Sequence, residues 1–90
     1  MDNAAVDALL NSLIDRFAEV EHERWSRWQR YLHNKGTRLS DGSLVLPAEL
    51  VERWDRQIKT EFASLTEQEK ESDREQVRKY FPIIASIFHK

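Results

Sequence analysis

The feature that most constrains this chain is a run of apolar side chains at helical spacing over residues 4–34. They recur every three or four positions, which places them on one face of a helix. A helix of these 31 residues would be about 46 Å long, whereas a compact domain of 90 residues is about 25–30 Å across. We therefore expect either that the helix breaks near Glu21 or that one half of it projects from the domain.

A projecting half that carries an apolar stripe needs a partner, because water disfavours an uncovered apolar face. Residues 1–17 are therefore expected to serve oligomerisation. We predict a homo-oligomer whose contact residues are the apolar positions of this segment, which are Leu9, Leu10, Leu13, Ile14 and Phe17.

The length and the periodicity predict an all-α fold in a single small domain, residues 1–90, with three or four helices. Gly36 is expected to end the first helix in a left-handed conformation. Asp41 and Gly42 form a turn signal. They lie within a short extended or hairpin excursion that is expected around residues 37–46.

The second half of the chain carries clear helix boundaries. Pro47 suits the first turn of a helix over about 47–60. Thr66 and Glu69 have the spacing of a capping box, which predicts the start of the last helix. Pro82 lacks a backbone N–H, so it is expected to kink or divide that helix a few residues earlier.

The net charge of −2 hides a strong asymmetry along the chain. Residues 1–23 carry six acids and one base, whereas residues 24–40 carry five bases and no acid. Nine of the fourteen basic residues are arginine, whose planar guanidinium suits phosphate and carboxylate groups. The isoelectric point of about 5.9 nevertheless disfavours a nucleic-acid-binding domain.

Several kinds of chemistry are disfavoured by what the sequence lacks. The chain has no cysteine and no apolar run of about 18 residues, which favours a cytoplasmic protein without membrane contact. His22-Glu23 resembles half of a helical zinc motif, but the second histidine position is Ser26. Only two glycines are present, so no phosphate-binding glycine loop is expected. We therefore expect a binding protein without metal or cofactor, and not an enzyme.

Three tryptophans, Trp25, Trp28 and Trp54, each lie on a predicted helix with arginine nearby. Two interpretations stay open. The rings can fill the core, which is favoured for Trp25, or they can form a stacking wall for a base while arginine holds phosphate. Arg53 beside Trp54, with Gln57 one turn later, best fits the stacking interpretation, because the amide can read a base edge or a ribose.

Asp73 and Arg74 form another polar cluster, on the last predicted helix. One interpretation is a ladder of solvated ion pairs with Glu69 and Lys70, one turn away. The other is that this pair turns inward and bonds His22 or a tryptophan indole.

Two stretches in this order resemble a known family. "HERW" at 22–25 and "EFASLTEQEKESDRE" at 61–75 are similar to the ryanodine-receptor (RyR) repeat domain, and "RWDRQ" resembles its bacterial and phage branch. The resemblance covers residues 20–85. The eukaryotic repeats carry a Gly-Trp…Tyr-Gly segment where this chain has "NKGTRLSDGS".

The resemblance implies a small, mostly helical fold with no established enzymatic activity. Prokaryotic members resemble parts of immune conflict systems, for which a nucleotide-derived ligand has been suspected. The positions that match the family pattern are His22, Glu23, Trp25, Leu65, Glu69, Lys70, Asp73 and Arg74.

These considerations predict a non-enzymatic protein that sequesters a small nucleotide-derived signal, such as a cyclic nucleotide or an ADP-ribose-like compound, as a phage anti-defence sponge in the host cytoplasm would. The alternative is a protein–protein interaction module that binds and inhibits a host protein. The predicted ligand-binding residues are His22, Arg24 (with Arg27 as the alternative), Trp25, Trp28, Arg53, Trp54, Gln57, Asp73 and Arg74.

Overall fold

The computed structural model describes residues 2–89 and has the predicted all-α character with one very short hairpin. Five helices are described, because each of the two longest predicted helices is divided. In chain order the elements are α1 (Asn3–Ser12), α2 (Ile14–Lys35), β1 (Thr37–Arg38), β2 (Leu44–Val45), α3 (Ala48–Lys59), α4 (Glu67–Arg78) and α5 (Phe81–Phe88), with a 3₁₀ turn at Phe62–Ser64 before α4.

The long N-terminal helix breaks at Leu13, so the expected position near Glu21 was wrong. The Leu13 N–H bonds to the carbonyl of Leu10 at 3.1 Å, which tightens the last turn of α1 before α2 begins. The side chain of Leu13 is only 7% exposed. The break therefore lies where the chain turns an apolar side chain inward, and Leu13 is covered within the chain instead of lying on an exposed seam.

The small core lies where α5 packs beside the start of α2. Leu13 and Ile83 are the two buried side chains among the described residues. The ring centroids of Phe17 and Tyr80 are 5.7 Å apart, and the Tyr80 hydroxyl donates to the Glu21 carboxylate. These contacts hold α5 against the first turns of α2.

Gly36 ends α2 in an extended conformation, with φ −94° and ψ 166°, so the predicted left-handed cap was wrong. The glycine is needed for a different reason. A Cβ at this position would lie 2.6 Å from the Cγ of Leu44 and 2.7 Å from its Cδ1. The absence of a side chain lets the second strand of the hairpin lie against the end of α2.

The hairpin pairs Thr37 with Val45 in antiparallel register. Its turn contains Gly42 at φ +90°, a conformation that favours glycine. The Asp41 carboxylate accepts a hydrogen bond from the Ser43 N–H at 2.9 Å. The Ser43 side chain, followed by this N–H, lowers the pKa of Asp41. The predicted Asp41-Gly42 turn is thus confirmed.

The predicted boundaries of the later helices agree with the structure. Thr66 and Glu69 form the capping box, with backbone-to-side-chain hydrogen bonds of 3.0 and 3.1 Å. The helix that follows stops at Arg78, and Pro82 lies in the first turn of α5. Proline fits there because the first N–H groups of a helix have no partner within it.

The described chain is elongated, with extents of 55 × 34 × 21 Å. The 22 residues of α2 account for about 33 Å of this length at 1.5 Å per residue. None of the helices in residues 2–89 combines the length and the apolar character that crossing a bilayer requires.

Candidate ligand-binding groove

A groove of about 1020 Å³ lies between α2, α3 and α4. Its residues on α2 follow the spacing i, i+3, i+4 and i+7, so one face of that helix forms a wall. The lining residues of α4 also share one helix face, whereas those of α3 are nearly consecutive. The lining residues are Arg24, Arg27, Trp28, Tyr31, Arg53, Trp54, Arg56, Gln57, Ile58, Leu65, Thr66, Gln68, Glu69, Ser72, Asp73 and Gln76.

An aromatic cluster joins two walls of this groove. The rings of Trp28 on α2 and Trp54 on α3 meet edge to face, with centroids 5.5 Å apart and planes at 71°. Tyr31 stacks against Trp28 at 5.5 Å and 24°. Trp28 and Tyr31 remain exposed, so the cluster packs the helices together and still presents ring surface to the groove.

Four arginines line the groove, and they differ in how far they are neutralised. Arg24 pairs with Glu21 at 2.6 Å, and this hydrogen bond raises the pKa of Arg24. Arg56 pairs with a groove carboxylate, described below. Arg27 contacts only the neutral Gln76, at 3.4 Å, and Arg53 has no hydrogen bond or ion pair with any described residue. The groove therefore presents two guanidinium groups without a carboxylate partner.

The Glu69 carboxylate fixes the junction of α3 and α4. It accepts hydrogen bonds from the Arg56 guanidinium at 2.7 Å and from the Gln57 amide at 2.5 Å, and it also accepts the Thr66 N–H. The Arg56 hydrogen bond is the main reason that the pKa of Glu69 is lowered to about 2, followed by the Thr66 N–H and Gln57. This carboxylate therefore stays charged at neutral pH.

Two further polar groups of the groove retain capacity for a ligand. Asp73 lines the groove and makes no hydrogen bond or ion pair among residues 2–89. Gln57 donates its amide N–H to Glu69, which leaves its carbonyl oxygen to accept. Oxygen acceptors at these positions suit ribose hydroxyls or exocyclic amino groups.

Six of the nine predicted site residues line this groove, and His22, Trp25 and Arg74 lie outside it. Trp25 is 56% exposed, so the favoured core interpretation of this residue was wrong. Its ring stacks on His22 at a centroid distance of 6.1 Å on the outer face of α2. Trp25 is not among the residues that line the groove.

Arg74 belongs to the solvated ladder of α4. It contacts the carboxylates of Glu67 and Glu71, each at 3.4 Å, and lies over the ring of Phe62 at 5.7 Å. Its hydrogen bond lowers the pKa of Glu67, with Lys70 contributing. Arg74 thus takes part in surface ion pairs, but its partners are Glu67 and Glu71 and not the predicted Glu69 and Lys70. Among residues 2–89 it makes no hydrogen bond to His22 or to an indole.

Sequence reasoning missed several lining residues. Arg56 lies three positions after Arg53, and Tyr31 lies three positions after Trp28. Gln76 has the same spacing from Asp73. Helical periodicity would have found all three, because the spacing that puts a predicted residue in the groove brings its neighbour one turn away.

Metal ligation finds no support in this region. Within residues 2–89 no three histidine, aspartate or glutamate side chains come close enough together to hold a metal ion.

Comparison of the chain with protein-family models, curated proteins and solved structures finds no match. The class that the fold and the groove define is thus a small all-α domain with an open, arginine- and tryptophan-lined groove. The RyR-like assignment stays a prediction.

Proposed function

We propose that this chain is a non-enzymatic binding protein for a small anionic ligand that contains an aromatic base, that is, a nucleotide-derived compound. The observation that carries the proposal is the position of Arg27 and Arg53. Neither has a carboxylate partner among the described residues, and each directly precedes one ring of the Trp28–Trp54 pair in the chain and lines the same groove. Guanidinium groups next to aromatic faces suit phosphate and base in one molecule.

The remaining groups complete this assignment. Trp28 and Trp54 stack the base, and Arg27 and Arg53 bind phosphate oxygens, with Arg24 at the edge. Asp73 and the Gln57 carbonyl accept hydrogen bonds from hydroxyl or amino groups. The groove of about 1020 Å³ is large enough for a nucleotide-derived ligand, since small-ligand sites typically measure about 300–1,000 Å³.

In biological terms the proposal is sequestration: the chain holds a nucleotide-derived signal such as a cyclic nucleotide or an ADP-ribose-like compound. On the RyR-like resemblance, we propose that such a protein acts in the host cytoplasm as a phage anti-defence sponge. The predicted homo-oligomer remains part of the proposal, with Leu9, Leu10, Ile14 and Phe17 as its expected contacts and with Leu13 removed from that set, because it is buried within the chain.

A thermal-shift panel of cyclic di- and trinucleotides, ADP-ribose derivatives, NAD and ATP tests the proposal. A ligand present at 100 times its dissociation constant stabilises the folded state by about 2.7 kcal/mol. For a domain of this size that is an increase of several degrees in Tm. No shift with any of these compounds would contradict the proposal.

Calorimetry of one charge-matched pair of variants then assigns the site. Arg53→Gln removes an unpartnered groove guanidinium, so we expect a loss of affinity of about ten- to a hundredfold, since a charged hydrogen bond contributes about 1.5–3 kcal/mol. Arg30→Gln makes the same charge change at an exposed position of α2 outside the groove. Equal affinities of the two variants would show that the groove is not the site.

The alternative function, a module that binds and inhibits a host protein, is favoured by a different observation. Leu10 and Ile14 are large apolar side chains that remain exposed near the N-terminus. This alternative predicts a folded monomer that gains a partner from the host. It predicts no shift in the nucleotide panel, so the two proposals separate in the same first experiment.

A further inference from the structure

The described chain exposes far more surface than a compact protein of its size. Its accessible surface is 7410 Å² for a mass of 10.7 kDa, whereas a compact monomer of that mass exposes about 5,500 Å². Its radius of gyration is 18.1 Å, against about 12 Å for a compact chain of this length. The difference is about 1,900 Å² of surface that a compact fold would cover.

This excess includes two exposed apolar stripes on α1, α2 and α5. In each stripe the side chains recur every three or four residues, which keeps them on one helical face. The N-terminal stripe consists of Val6, Leu10 and Ile14, and the C-terminal stripe consists of Phe81, Ile84 and Phe88.

Both stripes lie at the same end of the molecule. The Arg16 guanidinium donates to the Ser86 hydroxyl at 3.2 Å, and Tyr80 packs against Phe17, so α5 runs beside the start of α2 in the opposite direction. The two buried side chains of the described chain, Leu13 at 7% and Ile83 at 8% exposure, belong to these same segments. The small core of residues 2–89 is therefore flanked by uncovered apolar surface.

We propose that a second copy of this chain covers both stripes, and that dimerisation completes the fold. Obligate homodimer interfaces bury about 2,000–5,000 Å² in total, or about 1,000–2,500 Å² per protomer. The excess surface of about 1,900 Å² falls within that range. A partner that completes a fold must be present whenever the chain is made, and a second copy always meets this condition. The inference rests on the homo-oligomer of the proposed function and defines its contact faces, but it does not depend on the ligand of the groove.

The charges favour one arrangement of the two copies. Asp2, Asp7 and Asp15 accompany the N-terminal stripe, whereas α5, with the sequence "FPIIASIF", carries no charge. Packing α1 against its own copy would bring carboxylates together. A two-fold axis that sets each N-terminal stripe on the C-terminal stripe of the other copy avoids this repulsion and makes the same contact twice.

Sedimentation equilibrium of the full chain tests the dimer directly. We expect twice the mass of one chain, and a thermal midpoint that rises with protein concentration across about a hundredfold range, as mass action requires of coupled folding and association. A folded species with the mass of one chain, and with a midpoint that is independent of concentration, would overturn the proposal.

Substitutions at two equally exposed leucines test whether the N-terminal stripe forms the dimer contact. Leu10 and Leu39 are both 50% exposed, but Leu39 lies in the hairpin connection, away from the stripes. Leu10→Gln should weaken the dimer and lower the midpoint, and Leu39→Gln should leave both unchanged. If the two variants have the same dimer stability and the same thermal midpoint, the N-terminal stripe is not the dimer contact.

Cross-linking tests whether the N-terminal stripe of one copy faces the C-terminal stripe of the other. Because the sequence has no cysteine, disulfides can form only between the introduced cysteines. A mixture of Leu10→Cys and Phe88→Cys chains treated with diamide should form more disulfide-linked dimer than either variant alone. Leu39→Cys mixed with Phe88→Cys is the control. Dimers formed mainly by Leu10→Cys alone, or an assembly of any size without the mixed cross-link, would overturn the proposed arrangement.

Discussion

The Arg56 guanidinium on α3 donates to the Glu69 carboxylate on α4 over 2.7 Å. The same carboxylate accepts the Gln57 amide and the Thr66 N–H. One side chain thus joins α3 to α4 and satisfies a free N–H at the start of α4. Because the groove lies between these helices, its shape depends on the charge of Glu69.

The first prediction concerns acid stability. The pKa of Glu69 is about 2, chiefly because of Arg56, whereas an unperturbed glutamate has a pKa of about 4.3. Folding favours the ionised carboxylate, so its stabilising effect is complete above about pH 5 and is lost as the pH falls towards 2. Glu69→Gln should therefore lower the free energy of unfolding at pH 7 and flatten its decrease between about pH 5 and 2.

Urea unfolding at a series of pH values between about 2 and 7 measures this effect. Part of the slope will remain in Glu69→Gln, because Arg74 lowers the pKa of Glu67 and Arg78 lowers that of Glu71. Glu52→Gln is the control, since Glu52 is exposed and makes no hydrogen bond or ion pair among residues 2–89. A slope in Glu69→Gln equal to that of the wild type would contradict the role assigned to this carboxylate.

The second prediction concerns the capping box. Thr66 accepts the Glu69 N–H at 3.1 Å, and replacing a threonine N-cap by alanine typically costs about 1 kcal/mol. Thr66→Ala should lower the stability by about this amount. Thr37→Ala, at an exposed strand position, should change it by much less. If chemical denaturation ranks the two variants equally, the cap does not stabilise the chain.

The third prediction uses the close approach at the end of α2. A Cβ on Gly36 would lie 2.6 Å from the Cγ of Leu44, so Gly36→Ala should destabilise the chain by about 1–3 kcal/mol through overpacking. Leu44→Ala removes the clashing atoms. The cost of the double variant should therefore be smaller than the sum of the two single costs, as a double-mutant cycle measures.

Gly42 provides the control for this cycle. A Cβ on Gly42 meets nothing within 4 Å, but its φ is +90°. Gly42→Ala should destabilise the chain through backbone strain alone, so its cost should add to that of Leu44→Ala without coupling. Coupling of equal size at both glycines would mean that the Leu44 contact is not what Gly36 serves.

The fourth prediction concerns salt and ligand. Arg27 and Arg53 lie in an open groove, where dissolved salt screens their attraction for phosphate. Raising the ionic strength from about 0.01 M to about 1 M shortens the Debye length from about 30 Å to about 3 Å. Affinity for the nucleotide-derived ligand should fall with salt, and fall less steeply in Arg53→Gln. Affinity that does not change with salt would contradict a guanidinium–phosphate contact.

Much of the local structure could be predicted because it depends on neighbours in the chain. The capping box at Thr66, the Asp41-Gly42 turn and the division of the last helix before Pro82 each follow from a few adjacent residues. The groove was predictable in part for the same reason. Residues one turn apart share a helix face, so Arg53 and Gln57 lie in it together.

Other features depend on contacts between different helices, which local sequence patterns do not predict. Trp25 and Trp28 look alike in sequence, yet only Trp28 meets Trp54 of α3, while Trp25 faces solvent beside His22. Asp73 and Arg74 are adjacent, but successive side chains of a helix point in different directions. Asp73 therefore lines the groove, whereas Arg74 pairs with Glu67 on the surface of α4.

The sequence by itself determined the all-α class, the hairpin and most helix boundaries, because hydrogen bonds between near neighbours decide them. Only the tertiary structure decided the break at Leu13, the extended conformation of Gly36 and the membership of the groove. The groove depends on contacts between residues far apart in the chain, such as Arg27 with Gln76, and the conformation of Gly36 depends on the close approach of Leu44 from the second strand of the hairpin. Burial and steric contact between distant segments select one of several conformations that local preference alone would allow.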